Sequence, residues 1–331
     1  MLCLHIGMPK TGTTALQGFL RANQAHLDDM GLRYLEAGRK RPDGQGNVTI
    51  SHNRLLFDLN RQPDAVGMYR DDIAKEYADH KDKVCLISSE ALYSADHAEL
   101  AKILDGVPQK DMRIVFYCRR YSDYFEAEYK QRAKNSRLGG DGLSFIRTRL
   151  AAIKEDPDRY NYSGQVKRLR AAYPDATIEP HLYNRAGLKN ENVVEDFFDR
   201  LDLQMPPAAT LDRTSNPSLS RVASEAFGII TRAIGRKDSR RLRRSVPNDP
   251  VMFRKNDVLE PNERTWMDET LSQTDEDFRR EFFADSKTLF PPVQLSDADK
   301  TFRRGSEQEL ADFQRASEIV FNMALKKAAS S

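Results

Sequence analysis

Cysteine is scarce in this chain: Cys3, Cys85 and Cys118 are the three in 331 residues, each in an apolar, strand-like run and none at a paired spacing. That pattern excludes a disulfide framework and a thiolate zinc site, and the three read as small core residues. Histidine, cysteine and acidic residues form no ligand-like cluster, so no metal is expected. Long apolar runs are missing too, with nothing approaching the roughly 18 consecutive apolar residues of a membrane helix. Met1 leads straight into an apolar strand, which leaves no room for the charged and apolar regions of a secretion leader, so a cytoplasmic chain is expected. The formal glycosylation sequons at Asn47 and Asn161 then carry no meaning. Neither sign of charge is in excess, with 52 Lys and Arg against 50 Asp and Glu. The balance is uneven along the chain, however: Arg232, Arg236, Lys237, Arg240, Arg241, Arg243 and Arg244 lie together with Asp238 as the one acid among them. Such a run could attract an acidic glycan or nucleic acid. It reads first as a solvated face, and no nucleic-acid partner is expected.

What is present describes a soluble protein that buries a core under a very polar surface: 39% hydrophobic and 31% charged residues, with a mean hydropathy of −0.67. Strand-like runs recur at 2–6, 84–88, 114–118 and 176–182, the last interrupted by Pro180. Helical periodicity separates them at 14–24, with Leu16, Phe19 and Leu20 on one stripe, at 121–133, and at 192–203. Strands alternating with helices imply a parallel sheet covered on both faces, and ligands of such sheets sit at the carboxyl ends of the strands. Beyond about residue 205 the texture is helical only, with amphipathic patterns at 219–234, 275–290 and 307–328. The expected organisation is one domain over 1–331: a three-layer α/β/α core with a mainly parallel sheet in 1–204, and a helical C-terminal elaboration in 205–331.

The sharpest signal follows the first strand. Residues 7–14 read Gly-Met-Pro-Lys-Thr-Gly-Thr-Thr. A strand ending at Gly7, a tight turn and a helix starting near Thr13 would aim backbone N–H groups and the helix dipole at an anion, with Thr11, Thr13 and Thr14 adding hydroxyls. The usual nucleotide loop, G-x-x-x-x-G-K-[ST], has its lysine after the second glycine. Here Thr13 takes that place, and Lys10 lies two residues before Gly12. Such a lysine meets the phosphate from the side bonded to something else.

Pro9-Lys10-Thr11-Gly12-Thr13-Thr14 resembles, at every position, the 5′-phosphosulfate loop of the sulfotransferases that use 3′-phosphoadenosine 5′-phosphosulfate (PAPS). The likeness is strongest to bacterial, carbohydrate-sulfotransferase-like members, and Asn-Pro-Ser-Leu-Ser at 216–220 extends it weakly along the chain. The resemblance implies a P-loop type fold, PAPS as the donor, no metal, and a hydroxyl-bearing acceptor, carbohydrate or small metabolite. It implies that Lys10 stabilises the leaving phosphate oxygen and that Arg119, after the third strand-like run, grips the 3′-phosphate, a task that suits a guanidinium fork. Arg120 beside it faces solvent or the acceptor. The family's serine eight residues after that arginine is replaced by Ala127, so one phosphate ligand is missing, with Ser122 a weaker substitute.

Two residues compete as the base that takes the acceptor's proton. His52 is placed like the histidine of several carbohydrate sulfotransferases, and Glu90 follows the second strand-like run at the active edge of the sheet. His5 reads as a core or loop-supporting residue. Tyr117, Tyr121 and Phe125 suit an adenine, but their spacing suits a core better. The alternatives are a P-loop small-molecule kinase, disfavoured by Thr13 at the lysine position, and a non-catalytic nucleotide- or glycan-binding relative.

Overall fold

The computed structural model describes all residues except 42–46, 60, 62–64, 139–141, 207–217 and 330–331, so residues 216 and 217 of the Asn-Pro-Ser-Leu-Ser segment lie outside the described residues. Its described residues form two compact units, 1–119 with 162–206 and 120–161 with 218–329.

The first unit is built on five strands: β1 (Leu2–Ile6), β2 (Leu32–Tyr34), β3 (Val84–Ser89), β4 (Met112–Cys118) and β5 (Thr177–Leu182). They pair in the order β2-β3-β1-β4-β5, all parallel. The three central strands are almost wholly buried. Alternate side chains leave a strand on opposite faces. Cys3, Leu86, Val115 and Tyr117 pack with Leu16, Phe19 and Leu20 of helix Thr13–Ala22 and with Val194, Phe197 and Phe198 of helix Val193–Arg200. On the other face the Phe116 ring meets Tyr93 and Tyr162, the latter opening helix Tyr162–Ala172. Both faces are therefore covered and the three-layer α/β/α architecture holds. β5 is half exposed, and Pro180, which offers no N–H to a neighbour, stands on this edge strand opposite Phe116. The short β2 was not visible as a strand; three residues give no period to read, and it is held by β3 through Leu32, Arg33 and Tyr34.

The second unit is helical. Phe125 and Tyr129 of helix Tyr121–Lys134 pack with Ile146 and Ile153 of helix Gly142–Glu155 and with Met267 and Leu271 of helix Pro261–Thr274. Val222, Phe227 and Ile230 of helix Arg221–Leu242 pack with Ala316 and Val320 of helix Glu307–Ala329. Buried charges add to the first cluster: Arg264 donates to Glu126 at 2.6 Å, to Asp123 at 2.9 Å and to Ser122 at 2.9 Å. These partners explain why the expected boundary at 205 shifts. Residues 120–161 find their apolar and ionic partners on the C-terminal helices, so they group there instead of with the sheet. Helix Arg221–Leu242 breaks at Gly235, whose φ of 79° lies in the left-handed region, one residue past the expected end. The expected helix over 275–290 is shorter, Glu276–Phe282, because Arg279 turns back to donate to the Ser286 carbonyl while the Phe278, Phe282 and Phe283 rings cluster. Among the described residues, no helix is long and apolar enough to cross a membrane. All three cysteines are free and buried, and burial pushes the Cys3 thiol up to about 12.

Two predictions follow from this packing. A Cβ on Gly228 would stand 2.4 Å from the Ala133 carbonyl oxygen, where two helices touch backbone to backbone. Gly228→Ala is expected to cost about 1–3 kcal/mol, read as a lowered thermal midpoint. Burial also holds His5 down to about 3 and His97 and His181 to about 4, against an ordinary 6.5. Below pH 6.5 the unfolded chain therefore binds protons that the folded chain refuses, so stability is full above that pH and is lost as pH falls. Urea unfolding between pH 6.5 and 5 is expected to show a decline of about 1.4 kcal/mol per pH unit for each such histidine at the acid end. A flat stability over that window would mean that these rings titrate normally in the fold.

Candidate functional site

Parallel pairing decides which loops meet. β1 lies between β3 and β4, with Ile6 opposite Ser89 and His5 opposite Val115. The segments leaving the carboxyl ends of these strands, 7–12, Glu90 and Arg119, therefore emerge at one edge of the sheet. The chain runs from β1 toward the β2 side and from β4 toward β5, so the strand order reverses between β1 and β4, which is where open sheets of this kind bind ligands.

The loop's backbone is specified residue by residue. The Gly7 N–H donates to the Ser89 carbonyl at 3.0 Å, and the Thr11 hydroxyl donates to the Met8 carbonyl at 2.7 Å. Lys10 sits at φ 71° and Gly12 at φ 80°. The left-handed region is ordinary for glycine and uncommon for lysine, so the chain holds Lys10 there against its local preference. A Cβ on Gly7 would stand 2.7 Å from Thr13 Oγ1, and one on Gly12 would stand 2.7 Å from Val193 Cγ1. Both glycines are therefore required by the closeness of the turn to the starts of two helices, Thr13–Ala22 and Val193–Arg200. Helix Thr13–Ala22 starts at Gly12 without a side-chain cap, and the buried Thr13 Oγ1 has no hydrogen-bond partner among the described residues. Thr14 is exposed and Pro9 partly buried.

Arg119 reaches across from the end of β4. Its Nη1 donates to the Lys10 carbonyl at 2.7 Å, and its guanidinium lies 5.9 Å from the centre of the Tyr183 ring. The Tyr162 hydroxyl, fully buried, accepts from the Arg119 N–H at 2.7 Å and lies 2.5 Å from the Arg119 carbonyl and 3.1 Å from Met8 Sδ. Nothing in the sequence singled out Tyr162, which stands 43 residues from Arg119.

The charges of Glu90 and Arg119 both act on Lys10. Burial pushes the Lys10 ammonium down from its usual range; Glu90 counters this and Arg119 adds to it. Burial pushes the Glu90 carboxyl up, and Lys10 counters that. The structure thus brings together Lys10, Glu90 and Arg119.

It puts His52 in a different position. The ring is fully buried, and its Nδ1 accepts from the Ser88 N–H at 3.1 Å while its Nε2 donates to the Leu35 carbonyl at 3.1 Å. That assignment uses both ring nitrogens of the neutral imidazole. Burial first, and the Arg39 guanidinium second, hold it down to about 3. His5 supports the fold in a similar way, with Nδ1 2.8 Å from the Ser88 hydroxyl, which also accepts from Gln17 at 3.2 Å.

Other candidates sit in packing. The Tyr117 hydroxyl donates to Asp196 at 2.8 Å in the core of the first unit, and Phe125 is core in the second. Ser122 accepts from Arg264, and Ala127 lies on helix Tyr121–Lys134. Arg120 pairs with Asp268 at 3.4 Å and lines, with Tyr121, Leu271, Leu289 and Phe290, a cavity of about 320 Å³ in the second unit. In the basic stretch, Arg241 and Lys327 both pair with Asp238, and Arg243 donates to the Lys134 carbonyl at 3.2 Å. The remaining basic residues of that stretch, Arg232, Arg236, Lys237, Arg240 and Arg244, are exposed.

No family model matches this chain, and no solved structure matches it. A protein of Archaeoglobus fulgidus described as uncharacterized is 29% identical to it over 140 residues, 42% of this chain. The matched region spans 36% of that archaeal protein's length.

Proposed function

We propose that this chain is a sulfotransferase that moves the sulfuryl group of PAPS to a hydroxyl of a carbohydrate or small metabolite. The observation that carries the proposal is the cluster of Lys10, Glu90 and Arg119 at the carboxyl edge of the sheet, around a loop whose lysine precedes its second glycine.

The residues present fit an anionic donor. Thr13 Oγ1 is a buried hydroxyl without a partner among the described residues, the helix behind it is uncapped by any side chain, and Gly7 keeps the turn clear of Thr13. Pro9, Lys10, Thr11, Gly12, Thr13 and Thr14 would hold the 5′-phosphosulfate, and Arg119 the 3′-phosphate. The donor supplies an activated sulfuryl group bonded to a phosphate that leaves. Lys10 answers the charge that grows on the leaving oxygen, an interaction worth more in the transition state than before it.

The proton of the attacking hydroxyl falls to Glu90. The charge of Lys10 reaches it, and its raised proton affinity brings it closer to the strength a base needs near neutrality. His52 offers no lone pair to an acceptor, since Nδ1 and Nε2 are both taken by backbone groups. It reads instead as the pin that holds Leu35, just past β2, against β3.

Three outcomes check the proposal. Calorimetry is expected to show adenosine 3′,5′-bisphosphate binding well above ATP; comparable affinities would sink the donor assignment and favour a kinase. Lys10→Ala is expected to lower kcat by about 100-fold or more while changing bisphosphate affinity far less. Glu90→Gln is expected to remove the acid limb of the rate profile. Because burial raises the Glu90 carboxyl above its ordinary 4.5, activity is lost as pH falls through that raised value. An inflection near 6.5 that disappears in His52→Gln would instead assign the base to histidine.

A further inference from the structure

The first unit is interrupted once among its described residues before the 207–217 stretch. The chain leaves it after Arg119 and re-enters at Tyr162. These two residues are tied directly to each other. The Tyr162 hydroxyl accepts from the Arg119 N–H at 2.7 Å and stands 2.5 Å from the Arg119 carbonyl, so one phenol occupies both polar groups of a single residue's backbone. The same oxygen lies 3.1 Å from Met8 Sδ in the loop after β1. The Arg119 guanidinium in turn donates to the Lys10 carbonyl at 2.7 Å. Met8, Tyr162, Arg119 and Lys10 therefore form a closed circuit that joins two points of the loop to the end of β4.

Two features show that this circuit determines position. Arg119 stands just beyond β4, where the ladder that fixes 112–118 has ended with Cys118 opposite Leu182. Its backbone needs another restraint, and the phenol supplies one. Tyr162 is itself well anchored: its side chain is fully buried, the ring lies 6.4 Å from that of Phe116, and it opens helix Tyr162–Ala172.

We infer that Tyr162 is a positioning residue that sets the spacing between Arg119 and Lys10, and thereby the preference of the site for nucleotides carrying two separated phosphate groups. It acts through Arg119 and touches no ligand itself. The inference rests on the donor reading proposed above, in which Arg119 takes the 3′-phosphate and the loop takes the 5′ group. Removing the hydroxyl leaves the ring in place but frees the Arg119 peptide. The guanidinium then loses its fixed origin, and the benefit of the second phosphate falls. A nucleotide with a 5′-phosphate alone does not use Arg119 and should notice little.

The experiment is a double-mutant cycle on the full chain, using adenosine 3′,5′-bisphosphate and adenosine 5′-monophosphate as probes in calorimetry. Tyr162→Phe is expected to reduce the ratio of the two affinities by about tenfold, the size expected when buried hydrogen bonds are lost. Arg119→Gln is expected to reduce it at least as much, and Tyr162→Phe added to Arg119→Gln should change it no further, because residues acting as one unit are not additive. A ratio in Tyr162→Phe equal to that of the unaltered protein overturns the inference, as does a loss that persists undiminished in the Arg119→Gln background. Where the unaltered protein binds the two nucleotides equally, the donor reading falls and this inference with it. A lower thermal midpoint in Tyr162→Phe with an unchanged ratio would reduce Tyr162 to a structural residue.

Discussion

The site depends on one hydrogen bond, from the Arg119 guanidinium to the Lys10 carbonyl. A lysine in the left-handed region costs roughly 1–2 kcal/mol. A charge-assisted hydrogen bond contributes about 1.5–3 kcal/mol, so this contact is of the size needed to offset the strain. The direction of the loop follows from it. With Lys10 turned this way its carbonyl faces β4, and the stretch from Thr11 to Thr13 enters the helix through Gly12, also left-handed. Remove the guanidinium and Lys10 loses the partner that repays its conformation.

That bond is possible because the sheet puts β4 next to β1, and the sheet can do so because both of its faces are apolar. The parallel ladder needs crossover helices, and the helices need somewhere to bury their stripes. Leu16, Phe19 and Leu20 serve that purpose in the same helix whose first residues face the loop. The fold and the site are thus joined through helix Thr13–Ala22. Its buried face anchors it and its start, without a side-chain cap, meets the loop. Gly7 and Gly12 are needed where the loop comes too close to Thr13 and Val193 for any Cβ.

The strands at 84–88 and 114–118 were legible because burial on both faces leaves unbroken apolar runs, and the loop was legible because its residue types serve a geometric purpose at fixed offsets. Glu90 and Arg119 could be placed near the loop for a plain reason: each follows a strand directly, and carboxyl ends of parallel strands share an edge. β2 could not be read from three residues. The setting of His52 was equally hidden, since a sequence shows an imidazole but not the Leu35 carbonyl and Ser88 amide that meet its two nitrogens. The grouping of 120–161 with the C-terminal helices rests on partners such as Arg264 and Met267, more than a hundred residues away, which no local period announces. Tyr162 was missed on the same ground.

The electrostatics give these positions a direction. Lys10 and Glu90 are both disfavoured as charges by burial, and each is kept charged in part by the other. Arg119 works against Lys10, so the pair of cations is held at a cost that a second anion would relieve. On the reading proposed above, an anion arriving over the loop competes with Glu90 for Lys10. The ammonium becomes easier to keep charged as it gains a partner, while the carboxylate loses part of what stabilised it and binds a proton more readily. Donor binding would then strengthen the base in the complex that needs one and leave it weaker in the free protein. A half-buried lysine offset by the charge of a half-buried carboxylate is a poor source of stability. At this edge of the sheet, its sensitivity to a third charge is the more consequential property.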